Sequence, residues 1–299
     1  MNQTLRETPQ SVCSATATQR PAASLGRAEY IEVEPHVRLH VTDLGEGRPV
    51  VLIHGWPLSA AMYEYQYAHL LENGFRVIGI TLRGFGHSDK PGGRYTYDVF
   101  ADDIKVVLEK LRVEGATIGG FSMGGATVIR YVAKYEGAHV SRMALFGAAA
   151  PVWTQRPDFG YGVWTKADVD GLLTLNYTDR PQLFENFAQL FPASPTSVSP
   201  GHGAWLGTIQ AQASPYAMGE CLKTLRDSDL RADLRQISLP TLILHGRLDK
   251  ICSYDLAEQM QALLPTSQLV VFEKSGHALF LEEMDQFNSE LVTFATKAS

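Results

Sequence analysis

Three residues of the chain have the types and the spacing that nucleophilic acyl chemistry requires. Ser122 lies in the stretch GGFSMGG, with one glycine two residues before it and another two residues after it. Asp249 lies in LHGRLDK and His277 in EKSGHALF, and each follows a run of strand-forming residues. A serine hydroxyl is a weak nucleophile unless a base takes its proton, and an acid must orient that base. Ser122, His277 and Asp249 are therefore predicted to be nucleophile, base and acid.

The motif G-x-S-x-G is specific for this chemistry only between a strand and a helix, and the residues around Ser122 predict that context. Such a turn strains the serine backbone, and a side chain at Gly120 or Gly124 would collide with the neighbouring chain. The oxyanion of an acyl-transfer intermediate needs backbone donors. The predicted donors are the N–H of Met123, directly after the serine, and the N–H of Trp56 in HGWPLS.

The elements that must position these residues are predicted from hydrophobic patterning. AEYIEVE and VRLHVTD alternate apolar and polar residues and predict a hairpin with one solvated face. Strands buried on both faces are predicted from continuous apolar runs at 49–53, 76–80, 116–121, 142–146, 241–245 and 268–272. Helices are predicted at 60–72, 97–111, 124–135, 255–264 and 283–296. This alternation predicts an α/β fold with a mostly parallel sheet flanked by helices.

Residues 151–237 interrupt the alternation, since they contain many aromatic residues and no convincing strand. We expect them to form a helical cap, inserted after the sixth strand, over the carboxyl edge of the sheet. Residues 28–150 and 238–299 then form the α/β core, and residues 1–27 a disordered polar tail. The expected substrate-binding residues are Trp56, Pro57, Trp153, Phe159 and Trp164.

Composition restricts the partners. The 299 residues carry a formal net charge of -6 without a basic cluster, which argues against nucleic acid and anionic membranes and favours a small, uncharged or modestly polar ligand. Cys13, Cys221 and Cys252 are too far apart to suggest a disulfide framework or a zinc site. Neither H-E-x-x-H nor a nucleotide-binding glycine loop is present. With no secretory signal or apolar span in the sequence, we expect a cytoplasmic protein without a cofactor.

Some polar residues near the motifs have simpler explanations. His54 and His245 each precede a glycine at a strand end and are expected to be structural histidines. Glu282 is expected to act as a charge at the start of the last helix. Asp103, beside Asp102, is expected on the solvated face of a helix.

The motifs HGWPLS, RGFGHSD, GFSMGG, HGRLD and SGHALF occur in this order along the chain. Together they resemble the α/β-hydrolases of the cofactor-free group that contains bacterial arylesterases, perhydrolases and non-haem chloroperoxidases. The resemblance implies the same triad, the same two oxyanion donors and a homo-oligomer. One position departs from it, because Thr81 stands where the family usually shows Asp.

The sequence thus predicts a serine carboxylic ester hydrolase that acts on small apolar or aryl esters through an acyl-enzyme on Ser122. One alternative is a perhydrolase, or cofactor-free haloperoxidase, that forms peracids from hydrogen peroxide with the same triad. The resemblance suggests this alternative, because Trp56-Pro57 makes the loop similar to that of family members that accept hydrogen peroxide. A third alternative is a ligand-sensing receptor on a hydrolase fold.

Overall fold

A computed structural model describes residues 28–297 of the chain. The predicted tail of residues 1–27, which contains Cys13, lies outside the described residues. The strands are β1 (Ala28–Glu34), β2 (Val37–Leu44), β3 (Pro49–Ile53), β4 (Arg76–Ile80), β5 (Ala116–Phe121), β6 (Val140–Phe146), β7 (Thr241–Gly246) and β8 (Ser267–Phe272). They form one sheet in the order β1-β2-β4-β3-β5-β6-β7-β8.

Only β2 runs against its neighbours in this sheet. The hairpin β1–β2 pairs antiparallel, and β2 pairs antiparallel with β4. The other five pairings are parallel. Parallel neighbours bring the carboxyl ends of β3, β5, β7 and β8 to one edge, and that edge receives the loops with the predicted site residues.

Helices cover both faces of the sheet. A 3-10 turn at Ala60–Tyr63 precedes the first of them. The helices are α1 (Glu64–Glu72), α2 (Tyr97–Lys110), α3 (Met123–Lys134), α4 (Lys166–Thr178), α5 (Arg180–Leu190), α6 (Pro200–Ala211), α7 (Pro215–Asp227), α8 (Arg231–Gln236), α9 (Tyr254–Leu263), α10 (Leu279–Glu282) and α11 (Met284–Thr296). The predicted fold class is therefore confirmed, and the predicted core strands begin and end within two residues of the observed ones.

Alternate residues of the central strands supply two hydrophobic cores. In β3, Val51 and Ile53 enter the cluster that contains α2 and α3 side chains. Val50 and Leu52 point the other way, into the cluster that contains residues of α1 and α11. Because neighbouring side chains of a strand lie on opposite faces, a strand that is buried on both sides is apolar at most positions.

The segment between β6 and β7 contains the five helices α4 to α8. β6 and β7 nevertheless pair directly, from Met143 opposite Thr241 to Phe146 opposite Leu244. The segment is therefore inserted between two neighbouring strands of the sheet. The division into a core and a cap at residues 151 and 237 remains a prediction.

The expectation for Asp103 was wrong. Its side chain is buried and accepts two hydrogen bonds from the Arg83 guanidinium, at 2.7 and 2.6 Å. An apolar environment tolerates such a carboxylate because the paired cation compensates its lost hydration.

None of the helices in residues 28–297 is both long enough and apolar enough to span a membrane.

Candidate active site

Ser122 occupies a strained turn between β5 and α3. Its backbone has φ 53° and ψ -118°, in the region that residues with a side chain rarely adopt. The surrounding chain holds it there, because its N–H donates to the Phe146 carbonyl and its carbonyl accepts from Ala149. A Cβ on Gly124 would lie 2.4 Å from two backbone carbonyl oxygens, and one on Gly120 would lie 2.3 Å from another. The glycines of the motif are thus required by close backbone contacts.

Asp249 and His277 form a buried hydrogen-bonded pair. His277 Nδ1 lies 2.7 Å from Asp249 Oδ2. The other carboxylate oxygen, Oδ1, accepts the backbone N–H groups of Ile251 and Cys252, both at 2.8 Å. A carboxylate can only accept, so His277 donates from Nδ1 and keeps a lone pair on Nε2. Nε2 is the atom that a general base must have free.

Two phenylalanines and one glutamate hold the His277 loop. The imidazole packs against Phe121 and Phe191, with ring centroids 4.6 and 5.5 Å apart. Glu282 Oε2 accepts the N–H of Gly276, and its Oε1 accepts the N–H of Ala193, both at 2.7 Å. Beyond its predicted place near a helix start, Glu282 therefore ties the loop before His277 to the segment after α5.

Ser122 and His277 line the same small cavity. Its volume is about 20 Å³, enough for one water molecule. The lining residues are Trp56, Pro57, Leu58, Ser122, Trp153, Phe187, Phe191, Gln210, Leu225, Ile251 and His277. Most of them are apolar and buried. The site therefore excludes bulk water and strengthens the electrostatic interactions inside it.

Of the five expected substrate-binding residues, Trp56, Pro57 and Trp153 line this cavity, whereas Phe159 and Trp164 do not. Trp164 lies behind the lining, against Trp153 at 5.4 Å between ring centroids, and its Nε1 donates to the Ile251 carbonyl. Phe159 packs under the guanidinium of Arg231.

The cavity also has lining residues that the sequence did not single out. Phe187 and Phe191 come from the end of α5, Gln210 from α6 and Leu225 from α7. Which residues of these helices line the cavity depends on how the helices dock on the sheet edge. No local sequence pattern marks the lining residues.

The predicted oxyanion donors lie close to the serine. A Cβ on Gly55 would approach the Ser122 Cβ to 3.0 Å, so the loop carrying Trp56 passes beside Ser122. Met123 is the first residue of α3, where helix geometry leaves N–H groups without partners. Within residues 28–297, neither the Trp56 nor the Met123 N–H donates a hydrogen bond to the chain. Both remain available to a ligand.

Two further histidines are buried, and both are held in the neutral form. Burial lowers the pKa of His54 to about 4. Its Nε2 accepts the Leu82 N–H at 3.0 Å. Burial also lowers the pKa of His245. The Nε2 of His245 lies 2.6 Å from the Cys252 carbonyl and 3.6 Å from Asp249 Oδ2. His245 thus supports the loop that carries Asp249.

A serine in a strained strand-to-helix turn, beside a buried carboxylate–imidazole pair at the same sheet edge, is the arrangement of the serine hydrolases with an α/β fold. The α/β hydrolase fold family matches residues 48–284. The chain belongs to this family, it is a hydrolase, and the resemblance seen in its motifs is confirmed.

Individual relatives cover almost the whole chain. An AB hydrolase superfamily protein, YisY, of Bacillus subtilis (strain 168) is 44% identical over 266 residues, or 89% of this chain and 98% of its own. The solved esterase EaEST from Exiguobacterium antarcticum has a TM-score of 0.88 and 38% identity, covering 91% of this chain and 100% of its own. A bromoperoxidase from Bacillus anthracis has a TM-score of 0.87 and 31% identity over the same shares.

Proposed function

We propose that the protein is a carboxylic ester hydrolase that cleaves small apolar or aryl esters through an acyl-enzyme on Ser122. The observation that carries the proposal is the Asp249–His277 hydrogen bond of 2.7 Å at the edge of a cavity that also contains Ser122. The similar esterase from Exiguobacterium antarcticum supports it. The apolar lining and small volume favour a short, uncharged acyl group.

Each of the site residues has a proposed role in the reaction. The Ser122 hydroxyl attacks the ester carbonyl carbon while His277 Nε2 accepts the hydroxyl proton. Asp249 stabilises the imidazolium, and the N–H groups of Trp56 and Met123 donate to the oxyanion. The alcohol leaves with the proton from His277. Water then attacks the acyl-enzyme and gives its proton to His277. The acid departs as the bond to Ser122 breaks, and His277 returns the proton to the Ser122 oxygen.

The test is the release of p-nitrophenol from p-nitrophenyl acetate by the wild type and by Ser122→Ala. We expect the variant to lose at least about a thousandfold in kcat, because alanine has no hydroxyl that could form the acyl-enzyme. Ser141→Ala is the control, since the Ser141 hydroxyl donates to the Gly115 carbonyl at 2.9 Å and does not line the cavity. Equal turnover by wild type and Ser122→Ala would contradict the proposal. Many turnovers per minute by the wild type would exclude the ligand-sensing alternative.

The second candidate function is perhydrolysis. Its support is the buried Trp56-Pro57 segment in the cavity wall, where the Trp56 carbonyl accepts no hydrogen bond from residues 28–297. That carbonyl could hold hydrogen peroxide beside the acyl-enzyme, and the similar bromoperoxidase agrees with this chemistry. Peroxide-dependent halide oxidation, present in the wild type and absent in Ser122→Ala, would establish it. Acid as the only product in the presence of peroxide would exclude it.

A further inference from the structure

A groove opens beside the cavity of Ser122. Its volume is about 550 Å³, within the range of small-molecule sites. The groove is lined by Ala188, Gln189, Phe191, Pro192, Pro195, Val198, Ser199, Pro200, Gly203, Leu206, Gln210 and Lys250. Gln189, Pro195 and Lys250 are exposed, so the groove reaches solvent. It is much larger than the cavity that holds the serine.

The groove and the cavity meet at Phe191 and Gln210, which line both. Phe191 is the half-buried residue of the cavity lining, whereas the others are buried. A substrate that reaches Ser122 and also extends into the groove therefore passes beside these two side chains.

Gln210 is the polar side chain at this junction. Only 9% of the residue is exposed, and within the described part of the chain its carboxamide forms no hydrogen bond. The residue lines both the cavity and the groove, so its amide is free to bond water or a ligand there. Its position at the junction of the two spaces makes the substrate the natural partner.

The chemistry of an acyl-enzyme decides which half of the ester lies in the groove. The acyl group stays bonded to Ser122 while the alcohol must leave, so the alcohol belongs in the space that opens to solvent. Lys250 is the charged residue among those that line the groove, and its ammonium bonds the Ala193 carbonyl at 3.0 Å. The remaining wall is uncharged, which favours an uncharged chain.

We infer that the groove is the alcohol subsite of the proposed esterase and that Gln210 determines its specificity. The preferred substrates are short-chain acyl esters of long uncharged alcohols that carry an ether or hydroxyl oxygen near the ester, where the Gln210 amide donates to it. This inference rests on the proposed ester hydrolysis.

The test compares 2-butoxyethyl acetate with heptyl acetate, since the two chains have equal length and differ by one ether oxygen in place of a methylene. The measured quantity is the ratio of their kcat/KM values. A hydrogen bond of ordinary strength predicts that Gln210→Met lowers the ratio about three- to tenfold. The ratio does not depend on how much variant is folded. Gln212→Leu is the matched control, because Gln212 follows the same helix and is exposed.

A second variant tests the groove itself. A side chain on Gly203 meets nothing within 4 Å at its Cβ, so Gly203→Phe should fold and fill the groove. We expect kcat/KM for heptyl acetate to fall at least tenfold relative to ethyl acetate. An unchanged ratio in both Gln210→Met and Gly203→Phe would overturn the inference.

The same substrates separate the two proposals. Ser122-dependent hydrolysis of ethyl acetate with unchanged ratios in the variants would overturn the alcohol subsite and leave the esterase intact. If none of the three acetates is hydrolysed in a Ser122-dependent reaction, the esterase proposal fails and the subsite fails with it.

Discussion

Replacing Asp249 by asparagine changes one atom of the site and reverses the polarity of one hydrogen bond. Asparagine keeps an oxygen for the N–H groups of Ile251 and Cys252, each at 2.8 Å. Its amide nitrogen then stands where Asp249 Oδ2 lies, 2.7 Å from His277 Nδ1. Two N–H groups cannot face each other at that distance, so the imidazole carries its proton on Nε2 instead.

With the proton on Nε2, His277 has no lone pair for the Ser122 hydroxyl. The analogous change in serine proteases lowers kcat by about 10⁴, or about 5 kcal/mol of transition-state stabilisation. We expect the same loss for Asp249→Asn in p-nitrophenyl acetate hydrolysis. The free energy of unfolding should change little, because the two backbone hydrogen bonds remain.

The matched control is Asp255→Asn. Asp255 lies at the start of α9 and accepts from Gly162 and Ser253, outside the cavity lining. We expect its kcat to stay within twofold of the wild type. If folded Asp249→Asn keeps more than a tenth of the wild-type kcat, the idea that Asp249 sets the tautomer of His277 is refuted.

Three further predictions concern stability. Gly124→Ala should cost several kcal/mol in urea unfolding because its Cβ lies 2.4 Å from backbone oxygens, whereas Gly171→Ala, in α4 with open space around it, should gain about 0.5–1 kcal/mol; equal effects would contradict this. His54 has an ordinary pKa of 6.5 and a folded pKa of about 4. The unfolded chain therefore takes up a proton first as the pH falls, and the free energy of unfolding should drop by roughly 2 kcal/mol between pH 7 and pH 5. His54→Gln should remove that part of the pH dependence, and an identical pH dependence in wild type and variant would disprove it. Asp103→Asn leaves the buried Arg83 with Glu34 alone and should destabilise by about 3–5 kcal/mol in thermal or urea unfolding, while a loss below 1 kcal/mol would argue against the pair.

The sheet could be predicted because burial on both faces leaves a strong local signal. The apolar runs at 49–53 and 76–80 coincide with β3 and β4, since most side chains of a doubly covered strand are apolar. The meeting of Asp249 and His277 followed from topology, because parallel strands deliver their loops to one edge. Their 2.7 Å hydrogen bond agrees with that reasoning.

What the sequence did not reveal depends on packing between distant segments. Gln210 lies on α6. No local sequence pattern marks it as a residue at the junction of the groove and the cavity. The sequence contains nothing that distinguishes Phe159 and Trp164 from Trp153. Only the docking of the inserted helices decides which of these rings reaches the cavity. Asp103 looked solvated because its cation, Arg83, is 20 residues away in the chain.

β6 and β7 pair directly although five helices separate them in the sequence. This has a consequence for the nascent chain on the ribosome. The proposed nucleophile is synthesised long before the proposed base, because His277 follows Ser122 by about half the chain. At the usual rates of translation this interval lasts roughly 10 to 30 s. β6 ends at Phe146 and β7 begins at Thr241, so β6 lacks the neighbour that closes its free side for only part of that time. The proposed triad stays incomplete until His277 has been synthesised. On the proposed roles, activity requires that β7 and β8 dock, because the loops after these strands carry Asp249 and His277.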